Sequence, residues 1–519
     1  MCQNGSAELL ITKNNYQIYI TMNTNKERKM KPWLGWLIFF VTLGAVFLLG
    51  MLAASITQRR AEITSIMYNK KVEIKGIEAR NEIFQQNYPR EYETWKQTED
   101  TTFQSEFNGS SAIDVLEQRP EMVILWAGYA FAKDYSTPRG HMHAIEDINH
   151  TLRTGAPMSA TDGPQPATCW TCKSPDVPRM MDSLGVAAFY NNQWAAWGPE
   201  IVNPIGCADC HDPETMNLRI TRPGLIEGYQ SMGKNVNDAK HQDMRSLVCA
   251  QCHVEYYFDK ETKYLTFPWQ NGTTMEGAEQ YYDSIQFFDY THKLSKAPII
   301  KAQHPDYELF STGIHSQRGV SCADCHMPYI SEGGIKYSNH HIQSPLASIS
   351  NTCQVCHRES EDDLRNAVYE RQRSADEIRN LVEKELSTAH LEAQFAWEKG
   401  AQDNQMKPVL DLLRQSQWRW DYVVASHGSS FHSPVEYQRI MSHSLDRAHK
   451  ARFEVSKVLA QLGFTGVVPM PDVSTKAKAQ AYIGLDMDKE RADKKVFLET
   501  VVPEWLKTAK KNNRIVTLN

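Results

Sequence analysis

The sequence predicts a mainly α-helical chain with one membrane helix near its N-terminus, and three observations carry that prediction. The segment from Trp33 to Ile56 is uncharged throughout, ten of the 11 cysteines fall into five Cys-x-x-Cys pairs, and beyond Cys356 apolar residues recur at three- and four-residue steps. The rest of the composition is that of a globular protein, with 519 residues, 41% of them hydrophobic, and a net charge of -6. Disordered and collagen-like chains are excluded. Basic and acidic residues interleave along the chain, which gives no reason to expect nucleic acid as a partner.

The uncharged run WLGWLIFFVTLGAVFLLGMLAASI is 24 residues long, enough to cross a bilayer core. The stretch Lys26-Glu27-Arg28-Lys29-Met30-Lys31 precedes it, and this basic flank keeps the N-terminus cytoplasmic and sends everything after Ile56 to the outer, periplasmic side. A retained anchor is the expectation. A signal cut at Ala53-Ala54-Ser55 is the alternative, although the run exceeds the roughly 7 to 15 apolar residues of a signal core. Met22 and Met30 offer alternative starts, and either would remove Cys2, the one unpaired cysteine.

The chain then divides into a cytoplasmic segment (1–32), the anchor (33–56), a stalk with the start of the exported body (57–128), a region that holds all the cysteine pairs (129–357), and a helical C-terminal region (358–519). Segments 358–400, 404–426, 434–462 and 488–511 read as long amphipathic helices. Leu364, Val368, Ile378 and Leu381 illustrate the stripe, which signifies core or subunit packing. Residues 129–357 are rich in Gly, Pro and aromatics and contain few long periodic runs, so something other than ordinary secondary structure must organise them.

Histidine follows four of the pairs directly, at Cys207/Cys210-His211, Cys249/Cys252-His253, Cys322/Cys325-His326 and Cys353/Cys356-His357. This is the attachment motif of c-type haem: the two thiols form thioethers with one porphyrin and the next residue is held under the iron as an axial ligand. Structural zinc would join the pairs two at a time, but five is an odd number and zinc gives no reason for the histidines. The remaining pair, Cys169/Cys172, is followed by Lys173. A lysine amine binds iron only when deprotonated, so burial and the metal must hold it neutral, which marks this haem as special. Of 18 histidines, 14 remain to supply second axial ligands, and a lysine-bound haem with nothing committed opposite would have an open position for substrate. The fold class is thus a multihaem c-type cytochrome, mainly α, with a haem-packed core and long C-terminal helices.

The segments LRTGAP (152–157), CWTCKSPDVPR (169–179), GPEIVNPIGCADCH (198–211), CAQCHVEYYF (249–258), KAQHPDYE (301–308) and WRWDYVVASHG (418–428) resemble the pentahaem cytochrome c nitrite reductases, periplasmic enzymes that reduce nitrite to ammonium. The resemblance covers about 129 to 505. It implies five covalently bound haem c groups, with Lys173 the proximal ligand of the catalytic haem and Arg153, Tyr256 and His304 lining its open face. It implies His340, His141, His432 and His315 as distal ligands of the second to fifth haems, with His341, His143 and His427 as neighbouring candidates. It further implies a calcium ion held by Glu255, the carbonyls of Tyr256 and Lys301 and the Gln303 side chain, an all-oxygen set suited to a hard cation. A homodimer built on the C-terminal helices and a membrane-bound multihaem quinol dehydrogenase as electron donor are the partners that it suggests.

The chemistry follows on its own terms. Nitrite is a small anion, which a cationic Arg153 and a protonatable His304 would attract, and charge developing on its oxygens would be stabilised by the same groups. A His304 near the ordinary histidine value of about 6.5 would deliver protons at neutral pH. Reduction to ammonium takes about six electrons and eight protons, which suits one catalytic haem fed by four relay haems. A purely electron-carrying cytochrome, or a reductase of another small nitrogen or sulfur species such as hydroxylamine or sulfite, are the competing readings.

Overall fold

The computed structural model describes residues 31–67, 70–107 and 109–516. Cys2, Met22, Met30 and all but Lys31 of the basic flank lie outside the described residues, as does most of the expected cytoplasmic segment. Two compact units result, Met1–Asn69 and Lys70–Asn519.

Among its described residues the first unit contains one helix, α1 (Pro32–Met67). Its stretch Pro32–Arg60 is long and apolar enough to cross a membrane, with a mean hydropathy of 2.6. The helix runs past Ile56, because Thr57-Gln58-Arg59-Arg60 has no Gly or Pro to end it.

The second unit is one body, and the boundaries expected near 128 and 357 fall inside it. Its C-terminal part is built on four long helices, α2 (Glu361–Glu398), α3 (Asp403–Val424), α4 (Pro434–Gln461) and α5 (Met487–Lys511), with short helical turns at Ser429–His432 and Lys476–Tyr482 between them. Each starts where the sequence provides for it. Ser360 caps α2 by accepting from the Asp363 amide, ahead of the acidic first turn Glu361-Asp362-Asp363, whose charge favours the positive end of the helix. Pro434 opens α4 at a position where no amide is needed, and Asp486 caps α5. Gly400, with φ +91°, lets the chain leave α2 in a left-handed conformation.

Helices α2, α3 and α4 pack around Val382, Leu386, Trp418, Trp420, Ile440 and Met441, all fully buried. Ser416 of α3 and Ser444 of α4 donate to one another's carbonyls at 2.8 and 2.7 Å, which requires close approach of the two backbones. The stripe expected on α2 departs from this core at one position. Val368 is buried but Leu381 is 56% exposed, because the face that turns inward there carries Val382 and Leu386.

From Lys70 to His357 the chain forms short helices, single 3-10 turns and three two-stranded antiparallel hairpins. The hairpins are β1 (Tyr257–Phe258) with β2 (Leu265–Thr266), β3 (Tyr290–Thr291) with β4 (Pro298–Ile299), and β5 (Tyr329–Glu332) with β6 (Ile335–Ser338). A second apolar cluster fills this region, in which Trp170 stacks on Trp194 at 5.0 Å and Phe497 of α5 reaches in from the C-terminus. The short elements carry the cysteine pairs and the aromatic residues fill the space between them.

Candidate haem and substrate site

Four of the cysteine pairs begin on a short helix or a 3-10 turn, where two side chains three positions apart share one face, and the fifth, Cys249/Cys252, straddles the C-terminal end of the helix His241–Ala250. Cys207–Cys210 and Cys322–His326 are short helices, and Ala167–Trp170 and Cys353–Val355 are 3-10 turns. None of these ten cysteines is joined to another in a disulfide. Neighbouring pairs adjoin: the Cys172 and Cys252 thiols interact, as do those of Cys249 and Cys322. Among the described residues no three His, Cys, Asp or Glu side chains converge on a metal-sized point.

A buried arginine fixes two of these loops to each other. Arg222 donates from Nε to the Thr171 carbonyl at 2.7 Å, and from Nη2 to the Ser174 carbonyl at 2.9 Å and to Asp209 Oδ1 at 2.5 Å. Two of its acceptors flank Cys172-Lys173 and the third lies inside the Cys207/Cys210 pair.

Three of the four expected histidine pairs face one another. Ring centroids are 6.1 Å apart for His211 and His340, 6.2 Å for His326 and His432, and 6.3 Å for His315 and His357. Two imidazoles bound to opposite sides of one metal atom through bonds of about 2 Å have centroids about 6 Å apart, so the three spacings suit an iron atom between the rings. His141 and His253 are close enough for their charges to interact, and burial pushes His141 down to about 4.

Hydrogen bonds separate these residues from their sequence neighbours. His143 has both ring nitrogens engaged, with Glu146 Oε2 at 3.1 Å and the Glu99 carbonyl at 3.0 Å. His341 engages the Gln343 side chain at 3.2 Å. Gly428 passes so near the His432 ring that a Cβ there would lie 2.3 Å from its Cε1, so only glycine fits the approach.

Around Cys169, Cys172 and Lys173 the structure gathers Arg153, Tyr256 and His304. Arg153 and Lys173 both act on the Cys169 thiol, Tyr256 adjoins both cysteines, and Lys173 acts on His304. The Arg153 guanidinium lies over the Phe131 ring at 4.4 Å, and its Nε donates to Thr151 Oγ1 at 3.0 Å. No other guanidinium hydrogen bond is made to the described residues. Tyr256 stacks on Phe258 at 5.6 Å, and burial pushes its hydroxyl well above the usual tyrosine value.

His304 departs from expectation. Its position inside the protein pushes it well below the ordinary histidine value, and although Asp306 opposes this, the nearby His427, Lys173 and His253 add to it. Burial thus moves His304 away from the ordinary histidine value rather than leaving it poised near 6.5. Sequence reasoning also missed two partners. The His427 ring lies 6.3 Å from that of His304, and Asp306 bridges the site by accepting from Ser426 Oγ at 2.6 Å and engaging His253 Nδ1 at 3.1 Å. The only sequence signal for either was proximity to a named residue.

The residues assigned to calcium also converge. Glu255 is 1% exposed, and its Oε2 accepts from the Gln303 amide at 2.7 Å while Oε1 accepts from Tyr282 Oη at 2.9 Å. Gln303 Nε2 donates to the Lys301 carbonyl at 3.0 Å, so three of the four named residues meet. The Lys301 ammonium turns away to Asp421 Oδ1 at 2.9 Å. Burial pushes Glu255 well above the usual carboxylate range, and the neighbouring Glu308 is pushed up to about 8 by the same cause and leaves Oε2 without a partner. Buried carboxyl groups short of positive charge, among carbonyl oxygens, fit a hard cation.

The model of the cytochrome c552 family matches residues 80–513. The chain belongs to the cytochrome c552 family. Family members named cytochrome c-552 include those of Parabacteroides distasonis, 67% identical over 94% of this chain and 99% of the relative, and Porphyromonas gingivalis, 66% identical over 94% and 98%. A solved structure of the family's fold, the catalytic subunit of the cytochrome c nitrite reductase of Desulfovibrio desulfuricans, described with two calcium sites, superposes with a TM-score of 0.71 at 28% identity and covers 80% of this chain and 91% of its own. The mainly helical multihaem cytochrome fold expected from the sequence is thus the fold of the cytochrome c552 family.

Proposed function

We propose that this chain is an ammonia-forming nitrite reductase, active on the periplasmic side of the cytoplasmic membrane and held there by α1. The observation that carries the reading is the gathering of Arg153, Tyr256 and His304 around the Cys169/Cys172/Lys173 motif. Five haem c groups would be held at the five cysteine pairs, four between His211 and His340, His253 and His141, His326 and His432, and His357 and His315, and the fifth on Lys173. Bound haem would supply the iron that takes up nitrite and the electrons that reduce it.

The protein's own contribution is binding, orientation and proton supply. Arg153 is the anion receptor: Thr151 and the Phe131 face fix its guanidinium, and its Nη atoms make no hydrogen bond to the described residues. Tyr256 offers a hydroxyl that remains protonated and can donate to a nitrite oxygen. His304 and His427, ring facing ring, can hold and pass protons at their nitrogens. A calcium ion on Glu255, Gln303 and the carbonyls of Tyr256 and Lys301 would fix the backbone on both sides of the site, since Tyr256 and His304 each lie next to one of its ligands. A homodimer through the C-terminal helices and a membrane-bound multihaem quinol dehydrogenase as donor complete the proposal.

The test is low-temperature EPR on the purified oxidised protein, with haem content and ammonium yield measured on the same sample. Five haems, one high-spin signal that changes on adding nitrite, and stoichiometric ammonium are expected. Five low-spin haems without ammonium would establish an electron carrier instead.

A further inference from the structure

The motif histidines differ in what their second ring nitrogen meets. His211 Nδ1 pairs with the Met216 carbonyl at 2.8 Å and His326 Nδ1 with the Gln343 carbonyl at 2.9 Å. His357 Nδ1 lies 3.8 Å from the exposed Glu359, beyond hydrogen-bond distance. His253 alone among the four engages a carboxylate within hydrogen-bond distance, Asp306 Oδ2 at 3.1 Å. The other Asp306 oxygen accepts from Ser426 Oγ at 2.6 Å, so both oxygens are held in place.

The difference has a chemical consequence. A carbonyl is a neutral acceptor, whereas a carboxylate draws the imidazole N–H strongly and makes the opposite nitrogen a better electron donor to the metal it binds. An electron-rich ligand and a fixed negative charge both favour the ferric over the ferrous state. The couple takes up one electron at iron, no bond forms or breaks, and the Nδ1 proton stays on His253, shared with Asp306.

We propose that Asp306 is a positioning residue that lowers the reduction potential of the haem at Cys249/Cys252 and links that haem to the substrate side of the molecule. This rests on the reading above, in which His253 binds haem iron. The location gives the tuning a purpose. The Cys252 thiol interacts with Cys172 of the lysine motif and Cys249 with Cys322, so this pair adjoins both the catalytic pair and the next relay pair. A low potential there drives the electron onward to the site where nitrite binds. Asp306 is also two residues from His304, and its amide donates to the His304 carbonyl at 2.6 Å, so displacement of His304 is felt at the His253 ring.

The experiment uses the full-length haem-loaded protein in detergent, with Asp306→Asn and Ser426→Ala examined by spectropotentiometry and EPR. Asp306→Asn is expected to raise one low-spin midpoint by at least a tenfold change in its redox equilibrium, about 59 mV for one electron. Ser426→Ala is expected to lower the same midpoint, because the carboxylate freed from its hydroxyl donor leans more on His253. The haem that moves must be the one whose EPR signal is altered by His253→Met. Unchanged midpoints in both variants, or a shift in another haem, would overturn the proposal. If Asp306→Asn fails to accumulate, Ser426→Ala decides alone. Peptide mass spectrometry separates the two levels: no haem on Cys249/Cys252 of the native protein overturns the haem reading and the proposal with it, whereas a haem present there with unmoved midpoints overturns only the role of Asp306.

Discussion

Arg222 and Asp209 form an ion pair inside the protein, with Nη2 and Oδ1 2.5 Å apart and the two side chains 1% and 5% exposed. Nε and Nη2 also donate to the Thr171 and Ser174 carbonyls flanking Cys172-Lys173, and Nη1 donates to Thr221 Oγ1 at 2.6 Å. Removing the cation leaves a carboxylate buried without its partner, so Arg222→Met is expected to cost about 3–5 kcal/mol of stability. Denaturant unfolding of the haem-loaded variant checks this, and a loss within about 0.5 kcal/mol, the scale of an ordinary surface substitution, would contradict the burial argument.

His340 faces His211, whereas its neighbour His341 turns to Gln343. His340→Gly should therefore convert one low-spin haem into a second high-spin centre. His341→Gly should leave the EPR spectrum as it is. The reverse result would exchange the two assignments.

Arg153 has one donor committed and the rest of its guanidinium open. Arg153→Leu keeps the bulk but loses the charge, and kcat/KM for nitrite should fall by about 10²–10³, the usual loss on removing one donor to developing charge. Steady-state kinetics with haem content as control measures it.

Glu255 is a buried carboxyl pushed well above its usual range by burial. Calcium at 100 times its Kd should stabilise the protein by about 2.7 kcal/mol, and Glu255→Gln should abolish the gain. Thermal unfolding with calcium and with chelator tests both, and equal shifts in native and variant protein would count against this site.

Lys494 is 4% exposed, and burial pushes its amine down to about 8, with Asp134 and Glu490 opposing. The unfolded chain keeps this proton to about pH 10.4, so between those values it binds more protons than the folded state. Stability therefore gains up to about 1.4 kcal/mol per pH unit from this group as pH rises through the window, and the benefit is lost below it. Lys494→Met should remove that slope in unfolding measured from pH 7 to 10.5, and an unchanged slope would place its origin elsewhere.

The long helices were legible because their signals are local. The expected 434–462 and 488–511 differ from α4 and α5 by a residue at one end, since caps and periodicity act within a few positions. The cysteine motifs were legible for the same reason, as each holds two thiols and an axial candidate within five residues. Leu381 shows the limit: periodicity says that a helix has an apolar face but not which residue at its margin finds a neighbour.

By itself, then, the sequence determined the helical class, the candidate membrane helix, the attachment motifs and the lysine exception. Only the tertiary structure decided that His427 faces His304 rather than His326, that burial pushes His304 far below its ordinary value, and that Asp306 reaches His253. The physical reason is one of range. Attachment chemistry is written in covalent neighbours, whereas ring opposition, desolvation and carboxylate contacts depend on groups brought together from distant parts of the chain by packing.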